Sequence, residues 1–474
     1  MKKSLVSLLL VVSLLFSMLA MASCSQPMPD FEMPEEGFNT ENPVTIVFYH
    51  TMGQNLQNEL NSALKRFKTL YPNITVDHKQ IGGYDDVRDQ ISTELHAGTQ
   101  PNLAYCYPDH IALYNTSGGV VTLDQFIDHA TLGLTADQKA DFYEKYWEEG
   151  KAFGDDKMYS LPLSKSTELL FYNADFFAEH DEAGCCAVDH KPLYVPQTWE
   201  QLEEVCAEIK KIDPNSVPLG YDSEANWFIT LCEQYGYPYT SLEEGNHFQF
   251  NTDDHVDFVE MIRGWYKKGY VTTQEITGTY TSNLFTETDP AKLKCYMSIG
   301  SSGGTAHQAP TADGDGEYPF EVGIAGIPQA DPDHPKAISQ GPSLCILQNK
   351  DPQEVIASWL LIRFLTTDVA FQADFSKASG YVPVIKSARF DPYYESFLET
   401  ANGTTGITAL GATVSLATAD SCFTSPAFNG STVAREQVGL KLTTCMTADW
   451  ADSEVRAKIL EELNKAIAIC KARS

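Results

Sequence analysis

Residues 300–304 read Gly-Ser-Ser-Gly-Gly directly after an apolar, strand-like run. A serine set between glycines on a strand-to-helix turn is the pattern of a nucleophile elbow, so Ser302 is a candidate for acyl transfer. That chemistry needs an acid and then a histidine further along the chain. Downstream stand only His307, too near to serve comfortably, and His334 in the loop Asp331-Pro332-Asp333-His334-Pro335. An exported hydrolase using Ser302 is therefore the alternative reading and not the main one. Cys185 and Cys186, with His180, Asp189 and His190 close by, offer soft and imidazole ligands, but their spacing fits no zinc pattern and an inserted surface loop accounts for them. Asp313, Asp315 and Glu317 form an acidic loop whose glycine falls too early for an EF-hand, which makes it a solvated loop. Glycosidase chemistry needs two carboxylates at a set separation, and no motif marks such a pair. The phosphate-loop pattern is absent from the sequence, so this chain is not expected to hydrolyse nucleotides. No cofactor or metal is expected.

The start of the chain fixes where it works. Met1-Lys2-Lys3 is followed by an almost unbroken apolar run over 5–19 and then by Met21-Ala22-Ser23-Cys24. This is a secretory signal, expected to span 1–23. The polar, proline-bearing segment 25–43 carries no stop-transfer pattern. Cys24 at the junction resembles the lipobox of bacterial lipoproteins, with Met21 where leucine is usual. The resemblance implies acylation of Cys24 and a membrane anchor without a spanning helix, with 24–43 as the tether.

Of 474 residues, 451 remain after removal of the first 23, enough for two lobes. Composition is globular, with 43% apolar and 11% aromatic residues. With 64 acidic against 33 basic residues the net charge is −31, and such a surface repels nucleic acid. An adhesin or scaffold reading lacks the repeats or long polar stalk it requires. Cys106, Cys206, Cys232, Cys295, Cys345 and Cys470 lie in apolar stretches, where a thiol acts as a small hydrophobe, so most cysteines are expected to be free.

Positioning elements follow from periodicity. The run Val44-Thr45-Ile46-Val47-Phe48-Tyr49 suits a buried strand. A helix follows with Leu56, Leu60, Ala63, Leu64, Phe67 and Leu70 on one face and Pro72 as its stop. A second strand starts at Ile74-Thr75-Val76, a second helix spans 85–97 with Gly98 as its stop, and a third strand spans 103–107. This alternation predicts a parallel sheet with right-handed crossovers. Ligands gather beyond the carboxyl ends of such strands, here residues 50–52, Tyr84 and 107–109. Later helices are expected over 256–268, 354–366 and 453–471, interrupted by strands at 296–299 and 322–327, as in a chain that crosses between two lobes more than once.

The order of these segments resembles the extracytoplasmic solute-binding proteins of ABC importers, specifically the group that binds sugars, oligosaccharides and glycerol-3-phosphate. The similarity runs over about 44–449 and is carried by Ile46-Val47-Phe48-Tyr49-His50-Thr51-Met52, Gly83-Tyr84-Asp85-Asp86, Gly98-Thr99-Gln100-Pro101 and Leu161-Pro162-Leu163-Ser164-Lys165-Ser166-Thr167. It continues through Pro196-Gln197-Thr198-Trp199, the stretch from Tyr296 to Gly303, and Ser379-Gly380-Tyr381-Val382-Pro383-Val384.

What the resemblance implies is an α/β, two-lobed periplasmic-binding-protein-like fold of the maltose-binding type, hinge-linked and closing over a solute. The expected lobes are 44–127 plus 322–348, and 128–321 plus 349–474. By the same resemblance Tyr84 and Trp227 pack against the ligand, while Ser166, Ser302, Gly341, Tyr381 and Arg435 hold a phosphate. Neutral donors plus one planar cation suit an oxyanion. The acidic residue that grips the glycerol hydroxyls in those relatives aligns with Pro108, leaving Asp109 as its substitute, and a paired glycine becomes Gly341-Pro342, which removes one backbone donor. Each residue also has a plainer reading: Trp227 as core, Tyr84 and Tyr381 as turn residues, Ser166 and Ser302 as helix caps, Arg435 in a surface ion pair. The implied partners are a sugar or polyol phosphate, the permease of an ABC importer and, through Cys24, the membrane. The chain is expected to act as a monomer.

Overall fold

The β-branched run at 44–50 does form the first strand, β1 (Val44–His50), with Val44, Ile46 and Phe48 buried on one face. A computed structural model describes residues 30–182 and 190–474. Cys24 and the signal, and also Cys185, Cys186 and Asp189, lie outside the described residues.

Helix α1 (Gln54–Leu70) buries Leu60, Ala63 and Phe67 and leads to β2 (Ile74–Gln80). Helix α2 (Tyr84–Ala97) buries Val87 and Ile91 and stops at Gly98, whose left-handed φ of 69° lets its amide reach the carbonyls of Glu94 and Leu95. Next come β3 (Leu103–Cys106), the short helix α3 (Pro108–Asn115) and β4 (Val120–Val121). β1 pairs in parallel with both β2 and β3, as the alternation predicts.

The chain then builds a second sheet from β6 (Glu168–Asn173), β7 (Leu219–Tyr221), β8 (Val271–Thr273), β9 (Met297–Ser301) and β10 (Val322–Gly326), in the order β10-β6-β9-β7-β8. Around it pack α4 (Trp199–Ile212), α5 (Glu224–Tyr235) and α6 (Asp253–Lys267). The first sheet is completed by β12 (Ser343–Leu347), antiparallel to β3 and β4, with β5 (Leu161–Pro162) also paired to β12, in the order β2-β1-β3-β12-β4. The two largest cores among the described residues lie one around Ile46, Phe48 and Trp359 and the other around Trp199, Trp227 and Trp265, and a smaller cluster covers the other face of each sheet, around Val87 and Ile91 in the first and around Leu169 and Phe171 in the second. The architecture is thus the α/β, two-lobed one.

The expected lobe boundaries need three corrections. Residues 128–163 were expected in the second lobe, yet Leu134, Phe142, Tyr146, Leu161 and Leu163 are buried in the core of the first sheet and β5 pairs with β12. Residues 322–326 were expected in the first lobe. They instead pair antiparallel with β6 over five residues, from Val322 against Asn173 to Gly326 against Leu169, and so extend the second sheet. Residues after 349 were expected in the second lobe. Helices α7 (Pro352–Thr367) and α8 (Val369–Ser379) instead bury Val355, Trp359, Ile362, Phe371 and Phe375 against the core of the first sheet. Only afterwards does the chain return, first with the helix Ile407–Ala417, whose Ile407 packs against Leu169, Phe171 and Val322 of the second sheet, and then through β13 (Cys422–Phe423), which pairs in parallel with β11 (Ala337–Ile338), to α9 (Ser431–Thr447) and α10 (Val455–Arg473) of the second lobe. The cysteines at 106, 206, 232, 295, 345 and 470 are buried free thiols. Among the described residues no helix is long and apolar enough to cross a membrane.

Candidate binding cleft

The carboxyl ends of the parallel strands in the two sheets face one cavity of about 590 Å³, a size suited to a small molecule. From the first lobe, the turn after β2 delivers Tyr84 and the end of β3 delivers Tyr107 and Asp109. From the second, the end of β7 delivers Asp222, Ser223 and Glu224. Helix α9 lays Thr432, Arg435, Glu436, Gly439 and Thr443 along the cavity, positions three to four residues apart that fall on one helical face.

An aromatic wall forms on the first-lobe side. Tyr84 stacks on Tyr105 at 5.6 Å and lies 4.5 Å from Tyr107 between ring centres, and its hydroxyl stands 3.4 Å from that of Tyr381. Burial pushes all these phenols above their ordinary pKa, so they remain neutral and able to donate.

Arg435 enters from the opposite lobe. Its guanidinium donates to Asn226 Oδ1, and Asn226 Nδ2 donates in turn to Glu168 Oε1 at 2.8 Å. Tyr221 donates to the other Glu168 oxygen. Burial pushes the Glu168 carboxyl up to about 7, against the pull of these two donors. Asn226 thus holds one edge of Arg435 while a neutral contact, not a carboxylate, meets the cation. Arg88 behaves differently: Asp85 at 2.9 Å, Asp89 at 2.8 Å and, across the cleft, Glu436 at 3.3 Å all pair with it. Beneath the cavity, where the chain passes between lobes, the wholly buried Lys165 pairs with Glu149 and also donates to Gly341 O at 3.1 Å and Ser343 Oγ at 3.3 Å. Ser339 and Thr424 donate to the other Glu149 oxygen at 2.8 and 3.0 Å.

Of the residues singled out in the sequence, Tyr84, Asp109 and Arg435 line the cavity, and Tyr381 joins them through Tyr84. Gly341 sits beside them in the left-handed region at φ 89°, its carbonyl engaged by Lys165. Ser166 and Ser302 lie behind the wall. Ser166 accepts from Ser301 Oγ at 3.4 Å and exchanges backbone hydrogen bonds with Gln340. Ser302 is buried and accepts from the Thr167 amide at 3.3 Å.

Trp227 requires correction as a ligand contact: it is fully buried in the second core, stacked on Tyr221 at 4.7 Å and flanked by Trp199 and Trp265. On α5 the residues that line the cavity are Glu224 at its start and then Ala225 and Ile229, the last two four apart, which leaves position 227 on the far face. The hydrolase alternative falls on the same kind of observation. An elbow serine must be exposed, whereas Ser302 is enclosed; His307 is exposed, and His334 pairs on the surface with Asp331 at 2.8 Å.

Sequence reasoning missed Arg88, Tyr239 and the Glu168–Asn226 support. Arg88 carries a readable signal, since it is four residues after Tyr84 on the same helix. Tyr239 lies in a loop and has none.

Residues 62–396 match the family model of bacterial extracellular solute-binding proteins. The chain is similar to the sn-glycerol-3-phosphate-binding periplasmic protein UgpB of Escherichia coli strain K12, 25% identical over 365 residues that cover 74% of this chain and 76% of that protein. Among solved structures, it resembles UgpB from Mycobacterium tuberculosis in complex with glycerophosphocholine, with TM-score 0.69 and 18% identity over 90% of this chain and 99% of that one. The cyclic alpha-maltosyl-1,6-maltose binding protein from Arthrobacter globiformis is similar to the same degree, with TM-score 0.68 and 16% identity over 90% and 99%. At these identities the structural likeness establishes the fold.

Proposed function

Because the chain belongs to the bacterial extracellular solute-binding protein family, and is a binding protein and not an enzyme, we propose that it captures a carbohydrate or polyol phosphate and delivers it to an ABC importer. The solute class is that of sugars, oligosaccharides or glycerol-3-phosphate. Supporting this reading is one observation above others: Tyr84 from one lobe and Arg435 from the other face the same cavity. A phenol wall offers a flat apolar face to a polyol ring, and a guanidinium whose hydrogen-bond partner among the described residues is the neutral Asn226 can donate to an oxyanion or hydroxyl. Contacts from both lobes are made together only when the lobes are closed, so binding favours the closed form. In this reading the permease recognises that form, and acylated Cys24 keeps the monomer at the membrane.

A thermal-shift screen of the full-length protein against sugars, oligosaccharides and sn-glycerol-3-phosphate tests the reading. A solute at a hundred times its dissociation constant adds about 2.7 kcal/mol of stability. Arg435→Ala is expected to remove a phosphate-dependent shift and to spare that of a neutral sugar. If no member of the three classes raises the melting temperature, the reading is wrong.

A further inference from the structure

Among the described residues three passages of the chain join the lobes, and one carboxylate reaches all of them. The first runs from Leu163, buried in the first core, to β6 of the second sheet, and carries Lys165. The second runs from β11 to β12 and carries Ser339, with Ser343 opening β12. The third ends at β13, where Cys422 packs in the first core and Phe423 against the second, and Thr424 follows. Glu149 stands on a short turn beside Tyr146 of the first core and is only 4% exposed. Its Oε1 accepts from Lys165 Nζ and from Ser343 Oγ at 3.2 Å, and its Oε2 from Ser339 Oγ at 2.8 Å and Thr424 Oγ1 at 3.0 Å.

The two oxygens divide these donors by lobe. On the Oε1 side, Lys165 exchanges backbone hydrogen bonds with Val382 of the first core at 3.2 and 2.7 Å, and Ser343 is paired with β3 and β5, so both belong to the first sheet. On the Oε2 side, Ser339 and Thr424 directly follow Ile338 and Phe423, which pair with each other and pack against the second core. A hinge takes up its rotation in a few element-terminal residues. Turning the second lobe about these passages therefore moves Ser339 and Thr424 relative to Glu149 and leaves Lys165 and Ser343 in place. A buried carboxylate oxygen deprived of its donors is costly, so the lobe angle that keeps both hydroxyls on Oε2 is favoured.

We propose that Glu149 is the positioning residue of the hinge, whose Oε2 sets the angle between the lobes and through it the affinity for solute. Only the affinity rests on the solute-binding reading above: an apparent dissociation constant rises as the population of the binding-competent form falls. Glu149, Ser339 and Thr424 also line the cavity, so direct contact with the solute is the competing role. That role makes no demand on the lobe angle of the solute-free protein.

Small-angle X-ray scattering of the full-length protein without solute tests this, comparing wild type, Ser339→Ala with Thr424→Val, and Ser343→Ala. The double variant removes both Oε2 donors and leaves the Lys165 ion pair, whereas Ser343→Ala removes a hydroxyl from Oε1 alone. A larger radius of gyration is expected for the double variant and the wild-type value for Ser343→Ala. In titration with the solute giving the largest thermal shift, the double variant is expected to bind about fivefold or more weakly, and Ser343→Ala within about twofold of wild type. Ser339→Ala alone gives a second reading should the double variant melt early. An unchanged radius in the double variant, whatever its affinity, overturns the proposal, as does an equal expansion in Ser343→Ala or an expansion with wild-type affinity. Scattering needs no solute, so if no member of the three solute classes binds, the binding reading fails while the hinge role is still decided.

Discussion

Arg435 is the residue on which recognition turns, and its support is indirect: Glu168 orients Asn226, and Asn226 orients the guanidinium. Replacing Arg435 by lysine keeps the charge and loses the planar fork, so an oxyanion solute is expected to bind about tenfold or more weakly in titration calorimetry. Glu168 makes a pH-dependent prediction. Burial raises its pKa to about 7, so the folded protein holds a proton that the unfolded chain releases near 4.5. Its stabilising contribution is complete below pH 4.5 and lost as pH rises through about 7, a difference of roughly 3 kcal/mol. Denaturant unfolding at pH 5 and pH 8 checks this: Glu168→Gln should remove about that much of the wild-type decline, and an identical decline in both proteins contradicts it. Arg435 was reached only through the family resemblance, whereas Tyr84 and Asp109 were legible because strand ends mark them. Trp227 was not, since its direction depends on Tyr221 and Trp199 packing against the inner face of α5, contacts that the spacing of α5 alone does not reveal.

At the scale of elements, backbone geometry separates two glycines that look alike in sequence. A Cβ at Gly341, with φ 89°, meets Ser164 O at 2.5 Å and Lys165 Cα at 2.9 Å, whereas at Gly98, with φ 69°, it meets nothing within 4 Å. Gly98→Ala therefore carries only the left-handed penalty, about 1 kcal/mol, and Gly341→Ala is expected to lose about 3 kcal/mol or more, because backbone must move as well. Thermal melts of the two variants decide it, and equal losses contradict the account. The first strands and helices were legible because apolar period and the stops at Pro72 and Gly98 agree. The return crossings were not. Residues 322–326 and 343–347 are both short runs that pair antiparallel with an earlier strand, and their choice of sheet is set by register with β6 or β3.

Across the whole molecule, two contacts bear on closure. Arg88 and Glu436 bridge the cleft near its rim, and the Lys165–Glu149 pair lies where the chain crosses between lobes. Lys165→Met leaves Glu149 buried without its cation, expected to lower stability by about 3–5 kcal/mol, and the double variant Lys165→Met with Glu149→Gln should recover part of that loss in denaturant unfolding. The central claim is that two lobes hold a solute between Tyr84 and Arg435 and leave it unchanged. It is tested most directly by titrating wild type and Arg435→Ala with the phosphate-bearing solute giving the largest thermal shift, followed by mass analysis of the recovered solute. One solute per chain, recovered intact and bound at least about tenfold more weakly by the variant, is the predicted result. Unaltered affinity in Arg435→Ala, or a chemically changed solute, contradicts it.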